Sequence, residues 1–391
     1  MKRVLIFSLA YYPTHVSGAE TAIRDITDRI DDIDFELITL WFDRTQPQQE
    51  RIGKVRVHRI GIGPTYVAKV LFIPMAALYA KRLHHETPFD GLWAMMTYML
   101  FPVVLLRWLG VKLPYVLSLQ DGDTYETVFE RLRIKPVLFI LTQGFHNATV
   151  IQAISKYLAT WPEKLGYTGP VELIYDGANP KSIHPDCTDE EVRKLRATFA
   201  KNKDDVILMN TARLVPQKGA DVTIRALTLL PEHVKLVLVG DGTERESLES
   251  LVDELGLTKR VTFTGQVDRS VVSTYRMAAD IFVGPSRSEG LGHAFLSAMA
   301  CRLPVVTTQV GGIADFLFDA KRNPDQPTTG WAVDPDTPEQ IAAAVQDILA
   351  HPEAVQEVIA TARTLVEEKY DWDTIAKDMR TRVFAQLLDE R

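Results

Sequence analysis

Pro285-Ser286-Arg287-Ser288-Glu289-Gly290-Leu291-Gly292-His293-Ala294-Phe295-Leu296-Ser297-Ala298-Met299-Ala300 follows one short apolar run and precedes another, Val305–Thr308, which ends at Gly311-Gly312. The order reads as strand, glycine-bearing turn, apolar helix, buried strand and glycine turn, with Glu289 at the turn where the helix begins. Backbone N–H groups at a helix N-terminus are unpaired and the helix dipole adds positive charge there, so such a turn suits an anion. Glycines let a ligand approach the backbone, and a glutamate accepts hydrogen bonds from hydroxyls. An anion beside a polyol describes a nucleotide sugar. Taken alone, the segment also reads as an ordinary turn with a solvated glutamate, because short glycine motifs recur widely.

Working outward, strand-like runs alternate with helical patterns along almost the whole chain, the signature of βαβ units and parallel sheets. Val4–Leu9, Phe35–Leu40, Val55–Ile60, Gly91–Ala94, Tyr115–Leu119, Thr149–Ala153 and Val171–Ile174 predict one sheet. Val206–Thr211, Val234–Val239, Val261–Thr264, Ile281–Val283, Val305–Thr308 and Gly330–Val333 predict a second. Helical periodicity is clearest in Asp221–Leu230, Glu244–Leu255, Leu296–Cys301 and Pro338–Leu349. The turn-rich Asp176-Gly177-Ala178-Asn179-Pro180 is the expected linker. The expected architecture is therefore α/β: two Rossmann-like, doubly wound domains in tandem, facing each other across a cleft.

Composition agrees with two soluble domains. The chain has 391 residues, 46% of them apolar, too many for one core of ordinary size. A formal charge of −7 argues against nucleic acid as the main partner. The charge is uneven: residues 1–170 hold 19 Lys and Arg against 16 Asp and Glu, so the excess of acid lies in the rest. Two distant cysteines, Cys187 and Cys301, fit a reducing cytosol and no metal-like spacing. The apolar start, Val4–Ala10, is a buried strand rather than a signal peptide, because it is short and leads into Tyr11-Tyr12-Pro13. No apolar stretch is long and clean enough for a bilayer span.

After the strand Val206–Met209 comes Arg213-Leu214-Val215-Pro216-Gln217-Lys218-Gly219. A guanidinium and an ammonium flanking a turn would neutralise a pair of phosphates and hold charge as a diphosphate leaves. Gly240-Asp241-Gly242 reads as a structural turn, and Phe263-Thr264-Gly265-Gln266-Val267-Asp268 ends a strand where a base would lie. Asp268 would accept from both edge N–H groups of a guanine, although a surface turn explains it better.

These motifs together resemble family 4 of the retaining glycosyltransferases, group 1 transferases of the GT-B fold, over nearly the whole chain. Further matches are Tyr11-Tyr12-Pro13, Ser17-Gly18-Ala19-Glu20, Ala153-Ile154-Ser155 and Asp176-Gly177-Ala178-Asn179. The resemblance implies an acceptor-binding domain over 1–176, a nucleotide-sugar domain over 177–370, and a C-terminal helix over 371–391 that crosses back to the first domain. It implies that Arg213, Lys218 and Glu289 are catalytic, the two cations holding the diphosphate and Glu289 meeting sugar hydroxyls. Gly18, Val267, Gly290, Leu291, Gly292, His293 and Ser297 would bind the donor. It further implies transfer with retention, no metal and no cofactor beyond the nucleotide sugar. The acceptor is expected to be a glycan, a lipid-linked molecule or a small molecule.

Two positions depart from the family's pattern. A second glutamate usually stands at position 297, where it grips the ribose; Ser297 cannot accept from both hydroxyls, a loss of roughly 1.5–3 kcal/mol unless compensated. A histidine is common at position 120, and Gln120 orients without exchanging a proton near neutral pH. His15, Gln120 and Asp121 are therefore the candidates for orienting or accepting groups, with Asp123 as a further carboxylate. Two alternatives stand beside the transferase: a nucleotide-sugar-binding protein without turnover, and an epimerase of similar fold. Persistence of Arg213, Lys218 and Glu289 favours the transferase. A dinucleotide oxidoreductase is disfavoured, since the first turn offers only Ser17-Gly18.

Residues 66–82 are apolar with basic ends, and Arg131, Arg133 and Lys135 precede a second apolar run. Either segment is a core helix with solvated ends or a site of peripheral membrane contact through the N-terminal domain. The core reading is favoured, because apolar helical stripes usually are core. The expected location is the cytoplasm, with the inner face of the membrane as the peripheral alternative.

Overall fold

The computed structural model describes residues 1–13, 16–61, 63–178 and 188–389. The chain divides into two compact units: Met1–Gly177 with Trp372–Arg391, and Ala178–Asp371.

The sheet of the first unit contains β1 (Lys2–Phe7), β2 (Ile33–Leu40), β3 (Gln49–Ile52), β4 (Val55–Ile60), β5 (Gly91–Met95), β6 (Tyr115–Leu119), β7 (Val150–Ala153) and β8 (Val171–Leu173). Their order is β3-β4-β2-β1-β5-β6-β7-β8. Every pairing is parallel except β3 with β4. β1, β5 and β6 are almost wholly buried apolar runs, as strands covered on both faces must be. The parallel-only expectation is corrected at β3. Its sequence Gln-Glu-Arg-Ile is polar, and it pairs as an antiparallel edge strand where one side of the ladder meets water.

On one face of this sheet α1 (Gly18–Thr27) packs against the C-terminal helix Trp372–Asp378. Beyond it, the buried Phe384 ring lies 5.3 Å from Trp93 and 5.7 Å from Phe35. The helical segment after Tyr370 thus completes the core of the first unit. α2 (Tyr66–Glu86) covers β2 and β4, and α3 (Leu100–Trp108) covers β5 beside it.

The second unit holds β9 (Val206–Thr211), β10 (Val234–Val239), β11 (Val261–Gly265), β12 (Ile281–Gly284), β13 (Val305–Thr308) and β14 (Trp331–Val333). All pair in parallel in the order β11-β10-β9-β12-β13-β14. The order reverses between β9 and β12, and such a switch point opens a crevice at the carboxyl ends of the strands. Buried Asn210 ties the two together there, its Nδ2 donating to the Val283 carbonyl at 2.8 Å. The helices Ala220–Leu227, Arg245–Glu254 and Pro338–Ala350 bury Leu, Ile and Val at helical spacing against this sheet.

Candidate functional site at the switch point of the second sheet

Three loops converge where the strand order of the second unit reverses. The loop after β9 carries Arg213 to Gly219, the loop after β12 carries Pro285 to Gly292, and the turn after β13 carries Gly311 and Gly312. Lys218 Nζ donates to Glu289 Oε1 at 2.5 Å, with both side chains largely buried. The buried Ser286 hydroxyl donates to the same oxygen at 3.0 Å. Glu289 Oε2 makes no hydrogen bond to any described residue. The carboxylate is thus oriented through one oxygen and left open through the other, which suits a hydroxyl donor.

The backbone makes this pairing close. Gly219 has φ 66°, and a Cβ there would sit 2.3 Å from the Pro285 carbonyl oxygen. Gly311, at φ 56°, would bring a Cβ to 1.9 Å from the Glu289 carbonyl oxygen, while the Gly312 N–H donates to that oxygen at 3.2 Å. Both positions require glycine for conformation and for space. Arg213 stands exposed on its loop, and its side chain makes no hydrogen bond or ion pair to a described residue. Beneath it the Gly240–Gly242 turn is structural, as its sequence suggests. Leu214 N–H donates to the Asp241 carbonyl at 2.9 Å, and Glu244 N–H returns to the Leu214 carbonyl at 3.0 Å.

Sequence reasoning missed Arg287. Its N–H donates to the Gln217 carbonyl at 2.8 Å, and its guanidinium reaches Asp221 at 2.8 Å, Asp336 at 2.6 Å and the Pro216 carbonyl. The Asp221 carboxylate, with Asp336 adding to it, raises its already high pKa further. Arg287 therefore clamps the loop of Lys218 to the loop of Glu289. Only its place two residues before Glu289 hinted at this; its acidic partners lie far away in sequence.

The helix of the opening motif starts at His293, later than the turn at Glu289 suggests and earlier than its apolar periodicity does. Gly292, at φ 100°, is its N-cap, and Gly290, Leu291 and Gly292 are buried between Glu289 and the first turn. His293 and Ser297 are half-buried one helical turn apart, and the Ser297 hydroxyl makes no hydrogen bond to a described residue. Val267 is half-buried just past β11. Exposed Asp268 accepts from Ser270 N–H at 2.9 Å and from its hydroxyl at 2.5 Å, the surface turn that the sequence favoured.

In the first unit Gly18 opens α1, and Glu20 Oε2 accepts from Ser17 N–H at 2.6 Å, which engages that glutamate in a helix cap. Gln120 Nε2 donates to Asp176 Oδ1 at 3.0 Å, so its amide is oriented. Asp121 is buried and accepts from Thr97 N–H at 3.2 Å and from its hydroxyl at 2.8 Å. Burial pushes this carboxyl up to about 6. Asp121 is an internal brace for the turn after β5, where the non-glycine Met96 holds φ 73°. It is closed to an acceptor, whereas Asp123 is exposed. His15 and Asn179 lie outside the described residues. Among the described residues no group of three or more His, Cys, Asp or Glu is placed to hold a metal ion.

Residues 191–365 match the family described as glycosyl transferases group 1. Over 240 residues the chain is 30% identical to a GDP-mannose-dependent α-(1-6)-phosphatidylinositol monomannoside mannosyltransferase of Mycolicibacterium smegmatis, covering 59% of this chain and 60% of that one. Two solved structures share the fold along nearly the full length. Sucrose-phosphate synthase from Thermosynechococcus elongatus aligns with TM-score 0.86 at 23% identity, covering 100% of both chains. HepE of Anabaena, in complex with UDP-glucose, aligns with TM-score 0.80 at 19% identity, covering 98% of this chain and 100% of that one. The chain spans about half to three-fifths of the length of the first curated relatives it matches. It resembles the group 1 glycosyl transferases, and its fold is GT-B.

Proposed function

We propose that the chain transfers a sugar from a nucleoside diphosphate to an acceptor hydroxyl, with retention at the anomeric carbon and without a metal ion. The observation that carries this reading is the Lys218–Glu289 pair at the switch point, held through one carboxylate oxygen only, Lys218 lying on the loop that also presents Arg213, whose side chain has no partner among the described residues. A cation, a half-engaged carboxylate and the glycine-rich start of a helix are the groups a sugar diphosphate requires.

In this reading the diphosphate lies against the amides of Gly290 to His293, and Glu289 Oε2 accepts from a sugar hydroxyl. Ser297 accepts from one ribose hydroxyl, and Val267 borders the base. The bond between the anomeric carbon and the β-phosphate oxygen breaks while the acceptor oxygen bonds to the same face of that carbon. The acceptor proton passes to the leaving phosphate oxygen. Arg213 and Lys218 hold the charge that develops there, the task a divalent ion performs in other transferases. The mycobacterial relative is named for a GDP-mannose donor and a lipid-linked acceptor, and HepE binds UDP-glucose. A hexose nucleotide donor and a glycan or lipid-linked acceptor are therefore proposed here, with the first unit serving the acceptor.

The test is product analysis by mass spectrometry with a panel of hexose nucleotides and glycan or glycolipid acceptors, with and without EDTA. Transfer that persists in EDTA is expected. Activity lost in EDTA and restored by a divalent ion refutes the metal-free mechanism. A donor altered without acceptor assigns an epimerase, and nucleotide binding without any product assigns a binding protein.

A further inference from the structure

The helix α2 is built inside out. Its inner face buries Ala68, Phe72, Ala76, Ala77 and Ala80, four of them the smallest side chain with a Cβ. Its outer face presents Tyr66, Val67, Val70, Leu71, Met75 and Leu78, between 38% and 65% exposed. Isolated apolar residues on a surface are ordinary, but a row of them along more than three turns of one helix is not. The same layer continues through α3 to the helix Leu138–His146, where exposed Trp108 and Phe139 stack with ring centroids 6.4 Å apart.

The charge of this layer opposes that of the chain. α2, α3 and Arg131 to His146 together hold seven Lys or Arg and one acidic residue, Glu86, which ends α2 and pairs with Arg82, in a chain of net charge −7. Lys69, Lys81, Arg82, Arg131, Arg133 and Lys135 are all exposed. Among the described residues no helix is long and apolar enough to cross a membrane. A second copy of this chain would bring the cations of both copies face to face, an arrangement that repels.

We propose that the outer face of α2, with Trp108 and Phe139, docks on an anionic lipid surface, the helix lying in the headgroup plane. Apolar side chains enter the acyl boundary, aromatic rings sit at the interface, and the cations meet lipid phosphates. The exposure of the outer side chains corrects the core reading of residues 66–82, which holds for the inner face alone.

The experiment is flotation of the full chain with vesicles of phosphatidylcholine alone and with about 30% phosphatidylglycerol added, at low and high salt. Binding to the anionic vesicles is expected, with loss in high salt and little binding to phosphatidylcholine alone. The double variant Val70→Asp/Leu71→Asp is expected to bind at least about tenfold more weakly with unchanged melting. If its melting falls, the charge reversals Lys69→Glu and Arg133→Glu provide the same test without touching packing. Absence of binding to anionic vesicles, or equal binding by the variants, overturns the proposal. A concentration-dependent dimer that the double variant dissolves also overturns it, assigning the face to a second copy. No donor is present in the assay, so failure of the transferase reading would leave its result unchanged.

Discussion

With the edge strand β3 set aside, both sheets run 3-2-1-4-5-6 when numbered from β1 or from β9, the first adding β8 as a seventh strand, yet their switch points are built differently. In the second unit the loops after β9 and β12 are joined by Lys218 and Arg287, Ser286 holds Glu289 from within its own loop, and among the described residues the Arg213 side chain and Glu289 Oε2 have no partner. In the first unit the corresponding polar groups are engaged internally: Glu20 caps α1, Asp121 braces Thr97, and Gln120 is tied to Asp176. One topology thus supports a rigid frame that keeps ligand-type groups open and another that closes them. The chemistry lies in the loops rather than in the fold.

The sharpest way to break this contrast is at the pair itself. Lys218→Met and Glu289→Gln are each expected to lower turnover by about a thousandfold, ~4 kcal/mol of barrier. Combined, they should lose far less than the sum, because each group orients the other. Additive losses in that double-mutant cycle would show two independent groups and remove the pairing from the mechanism. A smaller effect separates the frames by backbone. Gly311→Ala drives a Cβ into the Glu289 carbonyl and should cost about 3 kcal/mol in chemical unfolding, whereas Gly110→Ala, at φ 95° with nothing within 4 Å, should cost roughly 1 kcal/mol. Equal costs would mean that the turn after β13 adapts and does not fix Glu289.

The smallest effect concerns the closed frame. The Asp121 carboxyl, raised to about 6 by burial, binds a proton in the folded state at pH values where the unfolded chain has released it. Its contribution to stability therefore falls as pH rises from about 4 to about 6, by at most about 3 kcal/mol. Asp121→Asn should remove that fall, so that its melting temperature gains on the wild type as pH rises through this range. A constant difference between the two across the range would show that Asp121 titrates normally.

The sequence makes the strands of both sheets legible because they are continuous apolar, β-branched runs buried on both faces. It hides β3, whose Gln-Glu-Arg-Ile carries no such pattern. Arg213, Lys218 and Glu289 are legible because each follows a strand at a turn. Arg287 is not, since its partners Asp221 and Asp336 lie 66 and 49 residues away and only the folded loops bring them together. The outer face of α2 escapes for another reason. Apart from Lys69, the stretch Tyr66–Ala80 bears apolar side chains on both faces, so periodicity cannot tell which side turns inward.

The measurement that bears most directly on the central claim is the thermal shift given by UDP, GDP, ADP, TDP and CMP to the wild type and to Arg213→Ala. A ligand at ~100 times its dissociation constant adds about 2.7 kcal/mol of stability, enough to read as a clear rise in melting temperature. The account predicts that a nucleoside diphosphate stabilises the wild type, that Arg213→Ala alone melts like the wild type, and that its ligand-induced shift is largely lost. Stabilisation of both proteins to the same degree, or of neither, would contradict a donor site built on Arg213, Lys218 and Glu289.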